Sequence, residues 1–409
     1  MNKESYEMLQ KEIYEEVMKE LDFGKDLSDS EIVELIDKII ISVSKFKSID
    51  ISDRGQLKKD IFYTIRKLDV LQQFLDNPGI TEIMVNGKDS IFIEENGVLK
   101  KTDCKISTTE KLDALILQIV SKCNREVNES SPIVDARLED GSRVNIVMSP
   151  ISIDGSIITI RKFPKKPITM NTLIELNAIS KEAVIFLEKL VIAGYNIFIS
   201  GGTGSGKTTF LNALSGFIPK EERIITIEDS AELQLVKVPN LVRLETRNKN
   251  AEGCKEISIR DLIRTSLRMR PDRIIVGEVR GKEAVDLLQC LNTGHDGSMS
   301  TGHGNSAKDM LSRLETMVLM GMDLPIEAVR RQIASGIDIL VHLGRLRDKS
   351  RKVLQIVEIT GYKDGEILLN TLFEFKEMNE DENGKVVGSL SREGELIHKE
   401  KLVAAGISI

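Results

Sequence analysis

The chain has no tryptophan, only four histidines and four cysteines among 409 residues, and aromatics make up 4%. Cys104, Cys123, Cys254 and Cys290 stand singly, with no Cys-x-x-Cys pair. That spacing excludes a zinc ribbon and a disulfide framework, and it fits reduced thiols used as small core residues. No run of about 18 apolar residues occurs, so no segment is expected to insert into a membrane. The opening stretch MNKESYEMLQKEIYEEVMKE is charged throughout and lacks the apolar core of a signal peptide. Basic excess is missing too: 57 Lys plus Arg stand against 64 Asp plus Glu, a net charge of −7. Direct nucleic-acid binding through bulk charge is therefore not expected.

What is present is ordinary globular material, 41% hydrophobic and 30% charged, long enough for two or three domains. Residues 1–75 read as an N-terminal helical region. Met8, Ile13, Val17 and Leu21 recur at helical spacing, as do Ile32, Leu35, Ile39 and Ile40, then Ile61, Ile65 and Leu68. Asn77-Pro78-Gly79 breaks that pattern. Residues 76–163 read as a small α/β domain. ITEIMVNG and SIFIEENGVLKK suggest paired strands turning at Gly97, residues 110–123 a helix, and SRVNIVM with SIITIRKF a second pair. Pro164-Lys165-Lys166-Pro167 is the natural linker, held extended by its prolines. Over residues 164–365 strands alternate with helices, the mark of a parallel sheet with helical crossovers. Residues 366–409 turn polar and read as an appended subdomain.

The strongest chemical signal is YNIFISGGTGSGKTTF. An apolar strand leads into Gly201–Thr208, which matches G-x-x-x-x-G-K-[ST], and a helix follows. Four glycines, Gly201, Gly202, Gly204 and Gly206, let backbone N–H groups turn inward on phosphate oxygens without Cβ clashes, and Thr203 and Ser205 complete the expected cradle. Lys207 is expected on the β and γ phosphates of ATP, the Thr208 hydroxyl on Mg²⁺, and Thr209 at the helix start beside them. A strand Ile274–Val276 then carries Glu278 at its carboxyl end, where parallel sheets bind ligands. Glu278 is expected to hold a metal-bound water or orient the attacking one; the bland alternative is a surface ion pair with Arg280. Glu228 follows another apolar strand, Ile224–Ile227. Either it serves metal or water, or this stretch is a helix cap built on Asp229, Ser230 and Glu232.

Two of the four histidines, His295 and His303, sit in NTGHDGSMSTGHGNS, among loop-forming residues. A neutral imidazole there suits a γ-phosphate sensor, the role expected of His303, with His295 behind it or at a subunit boundary. Loop histidines satisfied by local hydrogen bonds are the alternative. A zinc site is not indicated, because His-x₇-His is an unusual spacing without a third ligand. His342, in the apolar run IDILVHLG, reads as structural.

Four motifs in order, GGTGSGKTT, ITIEDSAEL, LRMRPDRIIVGEVRG and NTGHDGSMSTGHGNS, resemble the Walker A, Asp, Walker B and His boxes of the secretion ATPase superfamily. The Gly-Glu ending of the third is that family's own form. The chain is most similar to the CpaF/TadA branch, motors of tight-adherence (Flp) pili. It lacks the four-cysteine insert of type II secretion members and the AIRNLIRE-like signature of retraction motors. The resemblance implies a RecA-like P-loop motor domain preceded by a PAS-like α/β domain and an N-terminal helical region. It implies ATP and Mg²⁺ as cofactors, a homohexamer, an inner-membrane platform protein as partner, and a cytoplasmic place at the inner face of the membrane. Carried over by position, Arg137 and Arg143 of DARLEDGSR and Arg161 of ITIRKF are the arginines expected to close on the phosphates. Arg247, Arg268 and Arg270 are candidates from a neighbouring subunit. Each of these arginines reads equally as an interdomain salt bridge.

The expected function is thus a Mg-dependent ATPase driving pilus assembly or related secretion. The alternative is a type IV secretion traffic ATPase for DNA or protein transfer. A non-hydrolysing nucleotide scaffold is disfavoured by the pair Glu228 and Glu278, and a small-molecule kinase by the lack of a lid for a phosphoryl acceptor.

Overall fold

The computed structural model describes residues 3–21, 27–47, 49–95, 97–123, 126–163, 167–247, 255–382 and 384–408. Cys254 and most of the expected linker, Pro164 to Lys166, lie outside these. The chain divides into two compact units, residues 1–165 and 166–409. Among the described residues no helix is long and apolar enough to cross a membrane.

The first unit opens with three helices, α1 (Lys3–Glu20), α2 (Asp29–Ser44) and α3 (Ile51–Arg66). Ser28 caps α2 in a reciprocal capping box with Glu31, which satisfies backbone N–H groups that have no partner inside the helix. Ile13, Val17, Ile36, Leu57 and Ile61 close a core of their own between the three. There follow α4 (Gln72–Asp76), β1 (Ile80–Asn86), β2 (Ile91–Glu95), β3 (Val98–Lys101), α5 (Thr109–Lys122), β4 (Ile133–Arg137), β5 (Arg143–Val147) and β6 (Ile157–Arg161). The strands make one antiparallel sheet in the order β3-β2-β1-β6-β5-β4. The apolar face of α5, including Leu112, Ile116 and Ile119, packs into a core with Ile83, Val85, Ile146 and Ile158. Sequence periodicity marks two separate hairpins here. The structure joins them through β1 and β6 and adds β4 at the edge. That pairing is long-range, and no local pattern encodes it.

The second unit contains α6 (Met170–Glu175), α7 (Lys181–Ile192), β7 (Ile197–Gly201), α8 (Lys207–Ser215), β8 (Arg223–Glu228), β9 (Asn240–Glu245), α9 (Ile259–Ser266) and β10 (Arg273–Val279). It continues through α10 (Ala284–Leu291), β11 (Met299–His303), α11 (Ala307–Gly321), α12 (Ile326–Gly336), β12 (Ile339–Arg345), β13 (Arg351–Lys363), β14 (Glu366–Glu380), β15 (Val386–Arg392) and α13 (Glu400–Ala404). Nine strands form one sheet, β15-β14-β13-β12-β7-β11-β10-β8-β9. β12, β7, β11, β10, β8 and β9 run parallel, and β13 to β15 extend the sheet antiparallel.

Both faces are covered along most of the parallel part, so β7, β8, β10 and β12 carry apolar runs, while the edge strand β9 mixes exposed and half-buried residues. Successive side chains of β7 show this: Ile197 and Ile199 join the core under α7 and α8, while Phe198 joins the core under α10, α11 and α12. The expected break at residue 366 is not a break in packing. Leu372, Phe373, Leu390 and Leu402 belong to the same core as β7, and the rings of Phe186 and Phe373 are 5.4 Å apart. Buried Glu358 of β13 accepts the backbone N–H groups of Ile397 and His398, which ties the tail to the sheet.

Candidate nucleotide site

β7 is the fifth of the nine strands in the sheet, all five of its residues are buried, and its carboxyl end feeds the glycine turn. Gly204 (φ +69°) and Gly206 (φ +94°) take left-handed backbone that side chains disfavour. At Gly201 a Cβ would lie 2.5 Å from Leu343 O and 2.6 Å from Ser205 Oγ, so the turn can sit against β12 only with glycine there. Ser205 Oγ donates to Gly202 O at 2.9 Å and closes the turn. α8 then starts at Lys207, its free N–H groups and dipole facing the loop. Gly202, Thr203 and Gly204 are exposed, while Thr208 and Thr209 are half-buried in the first turn of α8.

Lys207 is only 8% exposed. Its Nζ donates to Gly201 O and Gly202 O at 3.1 Å each and to His303 Nδ1 at 3.2 Å. Burial pulls its pKa down, against the pull of Glu278. β11 is the parallel neighbour of β7, with His303 in register opposite Gly201, which is why the imidazole reaches the loop. Because Lys207 donates to Nδ1, the ring proton of a neutral His303 sits on Nε2, and Nε2 lies 2.7 Å from Glu278 Oε1. Burial lowers the His303 pKa; Glu278 pushes it back up, and Lys207 and Arg280 lower it again. Glu278 Oε2 in turn accepts from Arg280 Nε at 2.8 Å and Nη2 at 2.5 Å. The expected ion pair with Arg280 therefore exists alongside the contact with His303. Lys207, His303, Glu278 and Arg280 form one polar chain across the carboxyl ends of β7, β11 and β10.

Glu228 ends β8, beside β10, and is 4% exposed. A Cβ on Gly277 would stand 2.8 Å from Glu228 Cγ, so the glycine before Glu278 makes room for this side chain. Glu228 Oε1 accepts the N–H groups of Glu232 at 2.7 Å and Leu233 at 2.9 Å. Its Oε2 is buried without a hydrogen-bond partner among the described residues. Burial raises its pKa to about 7, although the two N–H groups pull the other way. The capping function foreseen for Asp229 or Ser230 thus falls partly to Glu228, which braces the turn after β8.

His295 does not join the chain. It precedes β11, so the strand carries it and His303 to opposite edges of the sheet. Its Nδ1 lies 3.4 Å from Cys290 O. The expectation that His295 stands behind His303 is corrected here, because in a parallel sheet the residues before a strand and after it face different ends; a place at a subunit boundary is the reading that this position leaves for it. Arg268 and Arg270 precede β10 and lie at that same far edge; Arg247 bonds Lys255 O at 3.3 Å. Arg137, Arg143 and Arg161 belong to the first unit, where the register sets them directly opposite one another on β4, β5 and β6. Glu82 on β1 ends that row, 3.9 Å from Arg161. His342 is buried and bonds Ser200 Oγ at 2.8 Å, as its apolar surroundings suggest. Sequence reasoning missed Arg351, whose Nε donates to Gly204 O at 2.8 Å; an arginine after a hairpin turn carries no motif.

Among the described residues no group of three or more His, Cys, Asp or Glu is placed to hold a metal by itself. The donor set that is present, a hydroxyl at Thr208 and a carboxylate at Glu278, fits magnesium carried on phosphate oxygens, which keeps most of its waters.

The family described as Type II/IV secretion system protein matches residues 65–384. A putative conjugal transfer protein of Mycobacterium tuberculosis is 33% identical over 293 residues, 70% of this chain and 83% of that protein. The type IV secretion system protein PtlH of Bordetella pertussis is 34% identical over 323 residues, 73% of this chain and 94% of that protein. Among solved structures, the pilus retraction motor PilT with bound ADP gives a TM-score of 0.51 at 20% identity, covering 74% of this chain and 81% of that one. That likeness concerns the fold: an N-terminal domain followed by a RecA-like ATPase domain.

Proposed function

We propose, from the premise that the chain belongs to the type II/IV secretion family and is an ATP-hydrolysing secretion ATPase, that it powers a type IV secretion apparatus moving DNA or protein. The conjugal-transfer and type IV secretion names of its relatives favour this over the tight-adherence pilus expected from the tail. A homohexamer docked on an inner-membrane protein at the cytoplasmic face is the working assembly of this proposal.

One observation carries the chemistry: Lys207, His303 and Glu278 touch in sequence beside a glycine turn at a helix N-terminus. ATP is held by the N–H groups from Gly202 to Thr209 and by Lys207, which exchanges its carbonyl partners for phosphate oxygens. Magnesium, held by Thr208 and in reach of Glu278, supplies charge neutralisation on the β and γ phosphates when bound. Glu278 orients the attacking water, and its two contacts with Arg280 fix the carboxylate's position for that work. His303 links Lys207 to Glu278, so a change at the γ-phosphate reaches both groups. Glu228 holds the neighbouring turn through its Oε1. Arg137, Arg143 and Arg161 form a row of guanidinium groups within the first unit, of a chemistry that suits phosphate. His295 takes no part in the subunit's own site.

The test is Lys207→Ala in the purified chain. ATP hydrolysis is expected to fall at least about 100-fold, the usual scale for losing a charged transition-state contact. Retained activity removes the site assignment. For the cargo, a strain carrying the same substitution is expected to lose DNA transfer or protein export while keeping its surface pili; the reverse outcome restores the pilus reading.

A further inference from the structure

The turn between β12 and β13 lies against the phosphate loop. Arg351, the first residue of β13, donates from Nε to Gly204 O at 2.8 Å. Its Cδ is 3.5 Å from where a Cβ on Gly206 would stand. It therefore lies on the two left-handed glycines that give the loop its curvature. A trans peptide is planar, with its carbonyl and N–H pointing opposite ways. With Gly204 O turned out to Arg351, the N–H of Ser205 is turned to the inner side of the loop. There Gly202 O takes it at a long 3.3 Å, a bond that an anion can replace.

The turn is itself held from the far side. Asp348 accepts from Ser350 N at 2.9 Å and Ser350 Oγ at 2.6 Å, and from Val386 N of β15 at 2.9 Å. Those bonds, Ser350's first, keep its carboxyl at about 2. Arg347 donates to Glu377 at 2.8 Å and pairs with Glu380, both on β14. A continuous set of polar contacts thus runs from β14 and β15, through the turn, to one peptide of the phosphate loop.

We infer that Arg351 is a positioning residue for the nucleotide: it fixes the Gly204–Ser205 peptide in its anion-binding orientation, and the last two strands hold it in place. This rests on the reading of the Lys207 loop as the ATP site. The guanidinium acts through the loop backbone, so its loss should weaken binding more than turnover.

The experiment uses the full chain with Arg351→Gln, Arg351→Lys, Asp348→Ala and the double variant Arg351→Gln/Asp348→Ala. KM and kcat for ATP hydrolysis, Kd for a fluorescent ATP analogue and Tm are measured. Arg351→Gln is expected to raise KM and Kd about tenfold, the scale of one partly exposed charge-assisted hydrogen bond. Its kcat should change less than about threefold, with Tm unchanged. Arg351→Lys should recover part of the affinity. Asp348→Ala leaves Arg351 in place, yet should shift KM in the same direction. The double variant should be no worse than Arg351→Gln alone, because both act through one contact. Wild-type KM and Kd in Arg351→Gln overturn the inference, as do additive effects in the double variant. Should Arg351→Gln fail to fold, Arg351→Lys and Asp348→Ala decide on the same criteria. A wild-type chain that hydrolyses no ATP overturns the site reading and this inference with it; an active wild type matched by Arg351→Gln overturns the inference alone.

Discussion

At the scale of single residues, the site is tuned by burial. Glu228 titrates near 7 in the fold and near 4.5 when unfolded. Between those values the folded chain holds the extra proton, so this carboxyl makes stability fall as pH rises through the window. Glu228→Gln keeps an oxygen for the N–H groups of Glu232 and Leu233 and removes the titration. Denaturant unfolding should show the variant gaining on the wild type by about 2–3 kcal/mol from pH 5 to pH 8. Parallel slopes in the two proteins would refute this. His303 is shifted the other way, below the ordinary imidazole range. Its neutral form prevails at pH 7. Once pH falls through that lowered value, a proton on Nδ1 expels Lys207 and turnover should drop. His303→Ala is expected to lower kcat about 10–100-fold with Kd for ATP within a few-fold of wild type. Equal loss in both would remove the sensor role.

At the scale of elements, strand order does the assembling. β11 and β10 are not next to β7 in sequence, yet they are its first and second neighbours on one side in the sheet. Their carboxyl ends bring His303 and Glu278 to Lys207. The antiparallel strands that follow are part of the same framework. Phe373 of β14 is fully buried against Phe186 of α7. Phe373→Ala should destabilise the chain by about 3–5 kcal/mol, read from chemical denaturation. A cost below about 1 kcal/mol would show that β14 is packed loosely enough to be a separate module.

At the scale of the whole molecule, each of the two units carries candidate phosphate-binding residues of its own. The motor unit holds the glycine turn and its acids. The first unit holds three arginines in one row, proposed to meet phosphate. Arg143→Gln should therefore leave Tm within a few degrees of wild type and lower ATP turnover about tenfold. Unchanged turnover would assign the row to a structural role.

The sequence by itself determined the motor's class, and it marked the glycine turn and the two acids that are proposed to serve it. Those features rest on local rules: glycine's tolerance of left-handed backbone, apolar runs in doubly covered strands, and polar residues at strand ends. The same rules marked α5 to within one residue at each end. Only tertiary structure decided which partners meet. Strand order separates His295 from His303, joins two hairpins into one six-stranded sheet, folds the polar tail into the motor core, and sets Arg351 on Gly204. Each of these contacts joins residues remote in sequence or turns on which strand neighbours which, and neither helical nor alternating periodicity carries that information.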